Sequence, residues 1–212
     1  NYIKQSKSQK IAKVVDGKKI EYIDINIGLK TATIGDVEKY IADGYILNEE
    51  NKVVKNAISV TTPVALQELF ANPKSIKGKT IILENDLDMT GIEWKAANGV
   101  SFTLDGNGHT IKNLYIDVKD QGGVGFFGAI HNATIKNVTF ENVYINIPCL
   151  DIDHSQGHIG AVAGSLEGTS TIENVTVKGD IKVEATVTAN GASRVAVVAG
   201  GNSYGNVTMK NV

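Results

Sequence analysis

The sequence has few of the residues on which several large classes of protein depend. Cys149 is the single cysteine, which excludes an intrachain disulfide and a cysteine-rich zinc site. Arg194 is the single arginine and the formal net charge is -2, so the basic footprint of a nucleic-acid-binding protein is missing. Proline occurs 3 times, which argues against a low-complexity chain. No apolar run approaches the roughly 18 residues of a membrane helix, so we expect no membrane-spanning segment.

The remaining composition is that of a folded chain with room for a sizeable core. Hydrophobic residues make up 42% and charged residues 21% of the 212 residues. This length suggests one domain, or one domain with a small companion. Glycine is abundant, with 22 copies, and much of it lies in a repeat.

A pentapeptide made of threonine, an apolar residue, a mostly charged residue, asparagine and an apolar residue occurs four times. The copies lie at 110–114, 134–138, 171–175 and 208–212. Successive copies start 24, 37 and 37 residues apart. Apolar and polar residues alternate in each copy, as in a short β-strand, and none shows a helical period. Internal repeats of this kind indicate a repeat architecture.

A second, glycine-rich signature lies between these copies. It occurs at 123–128, 158–164 and 194–200. A third alternating stretch lies at 115–118, 143–147 and 181–187. One repeat thus holds about three strands and no helix, which is typical of a parallel β-helix with coils about 4.8 Å apart. The sequence therefore predicts an all-β solenoid, a right-handed single-stranded parallel β-helix of about four to five coils.

The asparagine of the pentapeptide tests this stacking. We expect the four asparagines to lie in register and to hydrogen-bond along the stack as an inward-facing ladder. The ladder would consist of Asn113, Asn137, Asn174 and Asn211. The alternative is glycosylation, because four Asn-x-Thr tripeptides are present, two of them starting at Asn137 and Asn174. The ladder is favoured, because an asparagine between two apolar strand residues would be buried.

The segment before the repeats predicts a capping helix at 63–71. Thr62 is a suitable N-cap for a helix that starts at Pro63, and Asn72-Pro73 would end it. We expect one apolar face of this helix to cover the open end of the β-helix and its unpaired strand groups. That face would consist of Leu66, Leu69 and Phe70.

Trp94 lies before the first pentapeptide, and Val212 is the last residue of this sequence. Trp94 is the single tryptophan, and a packing role over the first coil is favoured over that of a sugar platform. Val212 ends the fourth pentapeptide. Because an unfinished coil leaves a bare parallel edge, we expect the natural chain to continue beyond Val212, or another molecule to cover this edge.

Residues 1–58 carry neither signature and are predicted to form a small α+β subdomain before a β-helix at 59–212. Asp16-Gly17 is a hairpin signal between two alternating stretches. Thr33–Asp36 resembles a capping box, which predicts one short helix after it. Because a hairpin and one helix are marginal alone, we expect them to pack on the capped end of the β-helix.

These signatures resemble those of the bacterial GLUG-repeat proteins, named for a Gly-hydrophobic-x-Gly core, over residues 60–212. The matching stretches are Phe102–Leu114, Val124–Gly128 and Ile159–Gly164. The third copy departs from them, with Ala196 where the others have Gly125 and Gly160. The resemblance implies an exported, cell-surface bacterial protein, such as an adhesin or the flanking region of a surface peptidase. It also implies that the repeats serve as stalk or binding modules and not as catalytic units.

The densest polar cluster lies in the insertion at 149–158. Its carboxylates and imidazoles could hold a divalent cation or a polar ligand, since long loops often carry function. The candidate binding residues are Asp151, Asp153, His154 and His158. An ordinary solvated loop is the favoured interpretation, so the sequence assigns neither a metal nor a cofactor.

Catalytic groups are scarce in the sequence. A glycoside hydrolase needs two carboxylates that face each other across a sugar bond, and Asp86 with Asp88 is the best adjacent pair. A solvated turn explains this pair equally simply and is favoured. A uronate lyase needs cations that neutralise a carboxylate, and Arg194 has no acidic cluster beside it in sequence. No catalytic residue is therefore assigned.

Two functions of different classes follow. The leading one is a non-catalytic, exported bacterial surface module, adhesin-like, that presents a face to a glycan or a host surface protein. The alternative is a carbohydrate-active enzyme, a polysaccharide lyase or glycoside hydrolase, with its site on the insertion or in coils beyond residue 212. A structural spacer is a third possibility. An enzyme needs a groove with convergent titrating groups of perturbed pKa, whereas a binding module needs only an exposed aromatic or polar strip.

Overall fold

The chain divides into two compact units, residues 1–57 and 58–212. The computed structural model describes residues 11–15, 19–24, 28–33, 45–47, 53–96, 98, 101–118, 123–150, 157–187, 193–202 and 204–212. None of the helices in this described part is long and apolar enough to cross a membrane.

The first unit contains antiparallel strands. One sheet consists of β1 (Ile11–Val15), β2 (Lys19–Asp24) and β3 (Gly28–Thr33), in that order. β4 (Tyr45–Leu47) pairs with β5 (Val53–Lys55). β1 and β2 lie on either side of Asp16-Gly17, with Val15 paired to Lys19. The short helix predicted after Thr33–Asp36 falls outside the described residues.

The second unit is an all-β parallel solenoid, as the repeats predicted. Its longest sheet runs along the stack, and in chain order its strands are β6 (Ala57–Val60), β7 (Thr80–Leu83), β9 (Thr103–Asp105), β13 (Thr134–Leu150), β16 (Thr171–Val187) and β19 (Thr208–Lys210). β8 (Leu87–Asp88) pairs with β10 (Thr110–Asp117), and β10 pairs with β13.

The glycine-rich signature forms two further parallel sheets. The first consists of β11 (Gly123–Val124), β14 (Gly157–Gly160) and β17 (Ser193–Ala196). The second consists of β12 (Phe127–His131), β15 (Ala163–Glu167) and β18 (Ala199–Asn202). Each copy of the signature therefore contributes one strand to each of two neighbouring sheets.

Five threonines mark equivalent positions in successive coils. They pair in register in the order Thr80, Thr103, Thr134, Thr171 and Thr208. These positions bound four coils. The predicted register is correct for the last three pentapeptides and wrong for the first, because Thr110 pairs with Thr139 and Leu114 with Val143. The two pentapeptides that start 24 residues apart, at Thr110 and Thr134, therefore lie at different corners of their coils.

The corners explain why asparagine recurs. Among the described residues, every non-glycine residue with positive φ is an asparagine, with φ between 52° and 59°. Asparagine tolerates this left-handed conformation better than other side chains do. A left-handed residue shifts the alternation of inward and outward side chains by one position. Ile135 and Val138, on either side of Asn137, are therefore both buried although they lie three residues apart. Phe140 and Val143 flank Asn142 in the same way.

The corner side chains form two ladders. In the first, Asn137 Nδ2 donates to Asp105 Oδ1 at 3.0 Å, Asn174 Nδ2 to Asn137 Oδ1 at 3.0 Å, and Asn211 Nδ2 to Asn174 Oδ1 at 2.9 Å. In the second, Asn113 Nδ2 donates to Asp88 Oδ1 at 3.0 Å and Asn142 Nδ2 to Asn113 Oδ1 at 3.3 Å.

Two parts of the asparagine prediction are therefore wrong. Asn113 belongs to a different ladder from Asn137, Asn174 and Asn211, because the first pentapeptide occupies a different corner. The four side chains also do not point inward, since all are half-exposed or exposed. At Asn113, Asn137 and Asn174, the left-handed corner carries its own side chain outward, while the apolar residues two positions before it and one position after it are buried.

Asn137→Ala is expected to lower the free energy of unfolding by about 2–3 kcal/mol. Alanine in the left-handed region costs about 1–2 kcal/mol, and two half-exposed ladder hydrogen bonds of about 0.5 kcal/mol each are lost. Asn137→Gly removes the same hydrogen bonds without the backbone strain, so its loss should be smaller by about 1–2 kcal/mol. Urea unfolding followed by Trp94 fluorescence measures both. Equal losses would show that the corner conformation contributes nothing.

The capping helix lies where the sequence predicted it. α1 (Pro63–Ala71) begins after Thr62, whose side chain accepts a hydrogen bond from Ala65 N, and a short α2 (Pro73–Ile76) follows. Leu66 and Phe70 are buried, whereas Leu69 is only partly buried. Phe70 makes edge-on ring contacts at 5.3 Å with both Phe102 and Phe127. The helix therefore closes the apolar interior of the first coils.

Trp94 packs inside this aromatic cluster. Its side chain is 1% exposed, and its ring stacks on Phe126 at 4.3 Å with an interplanar angle of 11°. Its Nε1–H donates to the Phe126 carbonyl oxygen at 2.7 Å. The prediction that Trp94 is a packing residue and not a sugar platform is confirmed.

Candidate functional site

An exposed groove with aromatic residues runs along the stack on β10, β13 and β16. Strand pairing places Tyr115, Tyr144 and Lys182 in one outward column. The groove has a volume of about 380 Å³, and its lining also includes the corner residues Asn113 and Asn142, and Asp180. We call it the tyrosine groove. It spans three successive coils because each coil contributes one residue to the column.

The side chains of this column contact one another. The rings of Tyr115 and Tyr144 lie 5.3 Å apart at 58°. Lys182 Nζ lies 4.7 Å from the centroid of the Tyr144 ring, which is a cation–π contact. Tyr115 is 42% exposed and Tyr144 is half-buried. The more accessible ring of the pair is therefore that of Tyr115.

A second outward column borders the groove, with Asp117, Asn146 and Glu184 in register. Tyr115 Oη donates to Asp117 Oδ2 at 3.2 Å, and Asn146 Nδ2 donates to Asp117 Oδ1 at 3.3 Å. Tyr144 Oη donates to the Glu184 carboxylate, which also lies 2.8 Å from Lys182 Nζ. These bonds join the two columns and hold the tyrosines in place.

Contacts within the groove shift the pKa values of four of its side chains. The hydrogen bond from Tyr144 to Glu184 raises the pKa of Tyr144. Desolvation and, to a smaller extent, the hydrogen bond to Asp117 raise the pKa of Tyr115. Lys182 holds the pKa of Glu184 below its usual range, and Glu184 raises the pKa of Lys182. The phenols are therefore neutral donors beside a carboxylate and an ammonium. None of these four shifts moves a pKa toward neutrality, where a general acid or base would operate.

The carboxylates singled out for hydrolysis are engaged elsewhere. Asp86 Oδ1 accepts from Thr110 N at 2.9 Å and lies 3.1 Å from His109 Nδ1. Asp88 Oδ1 accepts from Thr90 Oγ1 at 2.7 Å and from the ladder amide of Asn113. The backbone bond from Thr110 lowers the pKa of Asp86, and the hydroxyl of Thr90 lowers that of Asp88. A glycosidase acid needs a raised pKa, so this pair does not fit the role.

The candidate residues of the insertion are described only in part. Asp151, Asp153 and His154 lie outside the described residues, so the four candidates stay a prediction. His158 lies in β14, in register with Arg194. Its Nε2 is buried without a hydrogen-bond partner among the described residues, and burial followed by the charge of Arg194 lowers its pKa. The described residues contain no group of three or more side chains suited to hold a metal ion.

Two columns of alternating charge run beside the asparagine ladders. One contains Asp105, Lys136, Glu173 and Lys210, with 3.2 Å from Lys136 Nζ to Asp105 Oδ2 and 2.9 Å from Lys210 Nζ to Glu173 Oε1. The other contains Asp88, Lys112, Glu141 and Lys178, with 3.6 Å from Lys112 Nζ to Asp88 Oδ2 and 3.1 Å from Lys178 Nζ to Glu141 Oε2. Each of these four ion pairs joins opposite charges on successive coils. Such pairs favour the native order of the coils.

The solenoid should lose stability in acid. The pKa values of several carboxyls, among them Asp88, Asp105 and Glu173, are depressed in the folded chain, so the unfolded chain binds protons more readily. The stabilisation that these carboxyls provide is fully present at pH values above their unfolded pKa of about 4. It declines as the pH falls toward their lower pKa values in the folded chain. The melting temperature should therefore fall steadily from pH 5 to pH 2.5.

Asp88→Asn tests the origin of this acid sensitivity. The variant keeps an acceptor for Asn113 and loses the titrating group, so its melting temperature should change less between pH 5 and pH 2.5. Glu68→Gln, on the exposed face of α1, is the matched control and should follow the parent protein. A slope as steep in Asp88→Asn as in the parent protein would refute this origin.

Reasoning from the sequence missed the tyrosine groove. The only signal was that Tyr115 and Tyr144 occupy polar positions of two alternating stretches. The pentapeptide spacing indicated that Thr110 pairs with Thr134. In the structure Thr110 pairs with Thr139, five residues further along β13, and this register is what places Tyr115 beside Tyr144. Without that register the two rings could not be placed together.

Comparison with known proteins supports the repeat assignment. Residues 155–182, which include β14 and β15, match the family model of the GLUG motif. The chain is also similar to halomucin of Haloquadratum walsbyi, with 35% identity over 99 residues. That alignment covers 46% of this chain and 1% of halomucin. No solved structure matches the chain significantly. The resemblance to GLUG-repeat proteins is thus confirmed.

Proposed function

We propose that the solenoid is a non-catalytic module of an exported surface protein and that it presents a binding face to a glycan or a surface protein. The observation that carries this proposal is the tyrosine groove, an exposed aromatic and polar strip on a rigid parallel sheet. Its side chains are held by one another, so a ligand meets a preorganised surface and little conformational freedom is lost on binding.

The chemistry of the described carboxyls supports a binding role over an enzymatic one. The pKa values of Asp86, Asp88, Asp105, Glu173 and Glu184 are all lowered by hydrogen bonds or ion pairs. Hydrolysis of a glycosidic bond requires one carboxyl that stays protonated near neutral pH. Each of these groups is instead held as an anion.

The comparisons support the exported location. The chain contains a GLUG motif, and halomucin is by its name a mucin. Mucins are extracellular, so the similarity favours a cell-surface or secreted protein. The bacterial origin rests on the resemblance to GLUG-repeat proteins alone.

Incubation with immobilised polysaccharides and surface proteins tests this proposal. Both retention of the protein and release of shortened or unsaturated sugars are measured. We expect retention without release. Release of sugar products would support the enzyme alternative, and neither retention nor release would indicate a structural spacer.

A further inference from the structure

We propose that the tyrosine groove binds a neutral, hydroxyl-rich polysaccharide that lies along the axis of the stack. This inference rests on the binding function proposed above and adds the site and the chemical class of the ligand. It is carried by the direction of the groove, by the exposed ring of Tyr115, and by the charges that surround it.

The groove runs in the direction of the coil repeat. Tyr115, Tyr144 and Lys182 occupy the same position in three successive coils, and a volume of about 380 Å³ extends past all three. The rings of the two tyrosines lie 5.3 Å apart, close to the length of one sugar unit in an extended chain. A linear polymer with a short repeat can therefore make similar contacts at successive coils, which a compact ligand cannot.

Tyr115 supplies the aromatic platform. The ring of Tyr144 already contacts Tyr115 and the ammonium group of Lys182, whereas Tyr115 is 42% exposed. The apolar face of a pyranose ring packs on an aromatic ring while its hydroxyls remain at the edge. The bond from Tyr115 Oη to Asp117 fixes the ring orientation before the ligand arrives.

The charges around the groove select against anionic polymers. Three carboxylates, those of Asp117, Asp180 and Glu184, line or border the groove with one ammonium, that of Lys182, so the local balance is negative. A uronate or sulfate on the ligand would meet like charge. Sugar hydroxyls suit the same groups, because they donate to the carboxylates and accept from the Asn146 amide.

A protein partner fits the groove less well. Protein hot spots are aromatic or arginine side chains that enter closed, fully desolvated pockets. Here the groove is shallow and open to solvent, so a side chain of a protein partner would not be fully desolvated in it. The hydroxyl groups of a sugar can take the place of water molecules at such a surface, and the groove can stay open to solvent.

Affinity electrophoresis in gels that contain a single polysaccharide tests the inference. The neutral probes are a β-1,4-glucan derivative without charge and a mannan, and the anionic probes are alginate and heparin. The wild-type chain should be retarded by at least one neutral probe and by neither anionic probe. Tyr115→Ala should weaken this binding about tenfold or more, whereas Tyr115→Phe should keep most of it.

Tyr204→Ala is the matched control, because Tyr204 is an exposed tyrosine that does not line the groove. It should bind as the wild type does. Trp94 fluorescence and the melting temperature establish that each variant is folded. Asp180→Lys tests the charge argument separately and should increase binding to alginate.

Each contrary outcome has a distinct meaning. Retardation only by alginate or heparin, or retention only by surface proteins, would refute the neutral polysaccharide and leave the binding function intact. Equal binding of a neutral probe by the wild type and by folded Tyr115→Ala would refute this site. A folded wild type that binds no polysaccharide and no surface protein would refute the binding function itself.

Discussion

Gly164→Ala should destabilise the solenoid by more than about 3 kcal/mol, enough to prevent native folding in a chain of ordinary stability. A Cβ at position 164 would lie 2.7 Å from the carbonyl carbon of Gly123 and 2.7 Å from the carbonyl oxygen of His158. Both are backbone atoms of β11 and β14, so no side chain can rotate away. Relief would require β15, which contains Gly164, to move away from both strands, and its parallel pairing with β12 and β18 would be strained.

Urea unfolding followed by Trp94 fluorescence measures this loss, and Gly123→Ala is the matched control. The nearest atoms to a Cβ at Gly123 lie 3.2 Å away, so a shift of a few tenths of an ångström relieves the contact. The control should lose no more than about 1 kcal/mol. If Gly164→Ala and Gly123→Ala lowered the free energy of unfolding equally, the close approach of backbone atoms to Gly164 would not explain the loss.

The backbone also approaches closely at Gly160, the position that Ala196 occupies in the third copy. A Cβ at Gly160 would meet Val198 O at 2.7 Å and Ala199 Cα at 2.8 Å, which belong to the following coil. Ala196 pairs in register with Gly160 and is exposed among the described residues.

Trp94→Ala should lower the free energy of unfolding by about 3–5 kcal/mol. The side chain is almost fully buried, stacks on Phe126 and contacts Phe70 at 6.1 Å between ring centroids. Its removal would leave a cavity beneath α1 and would remove the donor to the Phe126 carbonyl oxygen. Because Trp94 is the only tryptophan, circular dichroism must replace fluorescence in the urea titration.

Trp94→Phe separates the two contributions. It keeps an aromatic ring against Phe126 and loses the Nε1–H donor, so the loss should be about 1–3 kcal/mol. Val64→Ala, at a half-exposed position of α1, is the control and should cost well under 1 kcal/mol. A Trp94→Ala protein as stable as this control would show that α1 does not depend on the aromatic cluster beneath it.

The sequence predicted the parts of the fold that depend on local chemistry. Alternation of apolar and polar residues predicted the strands, and their recurrence predicted a parallel solenoid. Thr62-Pro63 predicted the start of the capping helix, which lies at Pro63–Ala71. Burial of Trp94 followed from its size and its place before the first repeat. Each of these depends on interactions within a short segment or on composition.

The register between coils was a different matter. The pentapeptide at 110–114 looks like the other three copies, and yet it stacks under residues 139–143. A spacing in sequence counts residues and does not distinguish one corner of a coil from the next. The left-handed asparagines could not be identified either, because the alternation in the pentapeptide fits an asparagine within a strand as well as one at a corner.

The sequence alone thus determined the class of architecture and the existence of a repeat, and its single cysteine excluded an intrachain disulfide and a cysteine-rich zinc site. Only the tertiary structure decided which coils lie over one another, and with that the two asparagine ladders, the charge columns and the tyrosine groove. The physical reason is that each of these sets joins residues of successive coils, which lie 24 positions apart for Lys112 and Asp88 and 37 apart for Asn211 and Asn174. Their proximity comes from backbone pairing between coils, and a corner that shifts the strand by one residue changes which side chains meet.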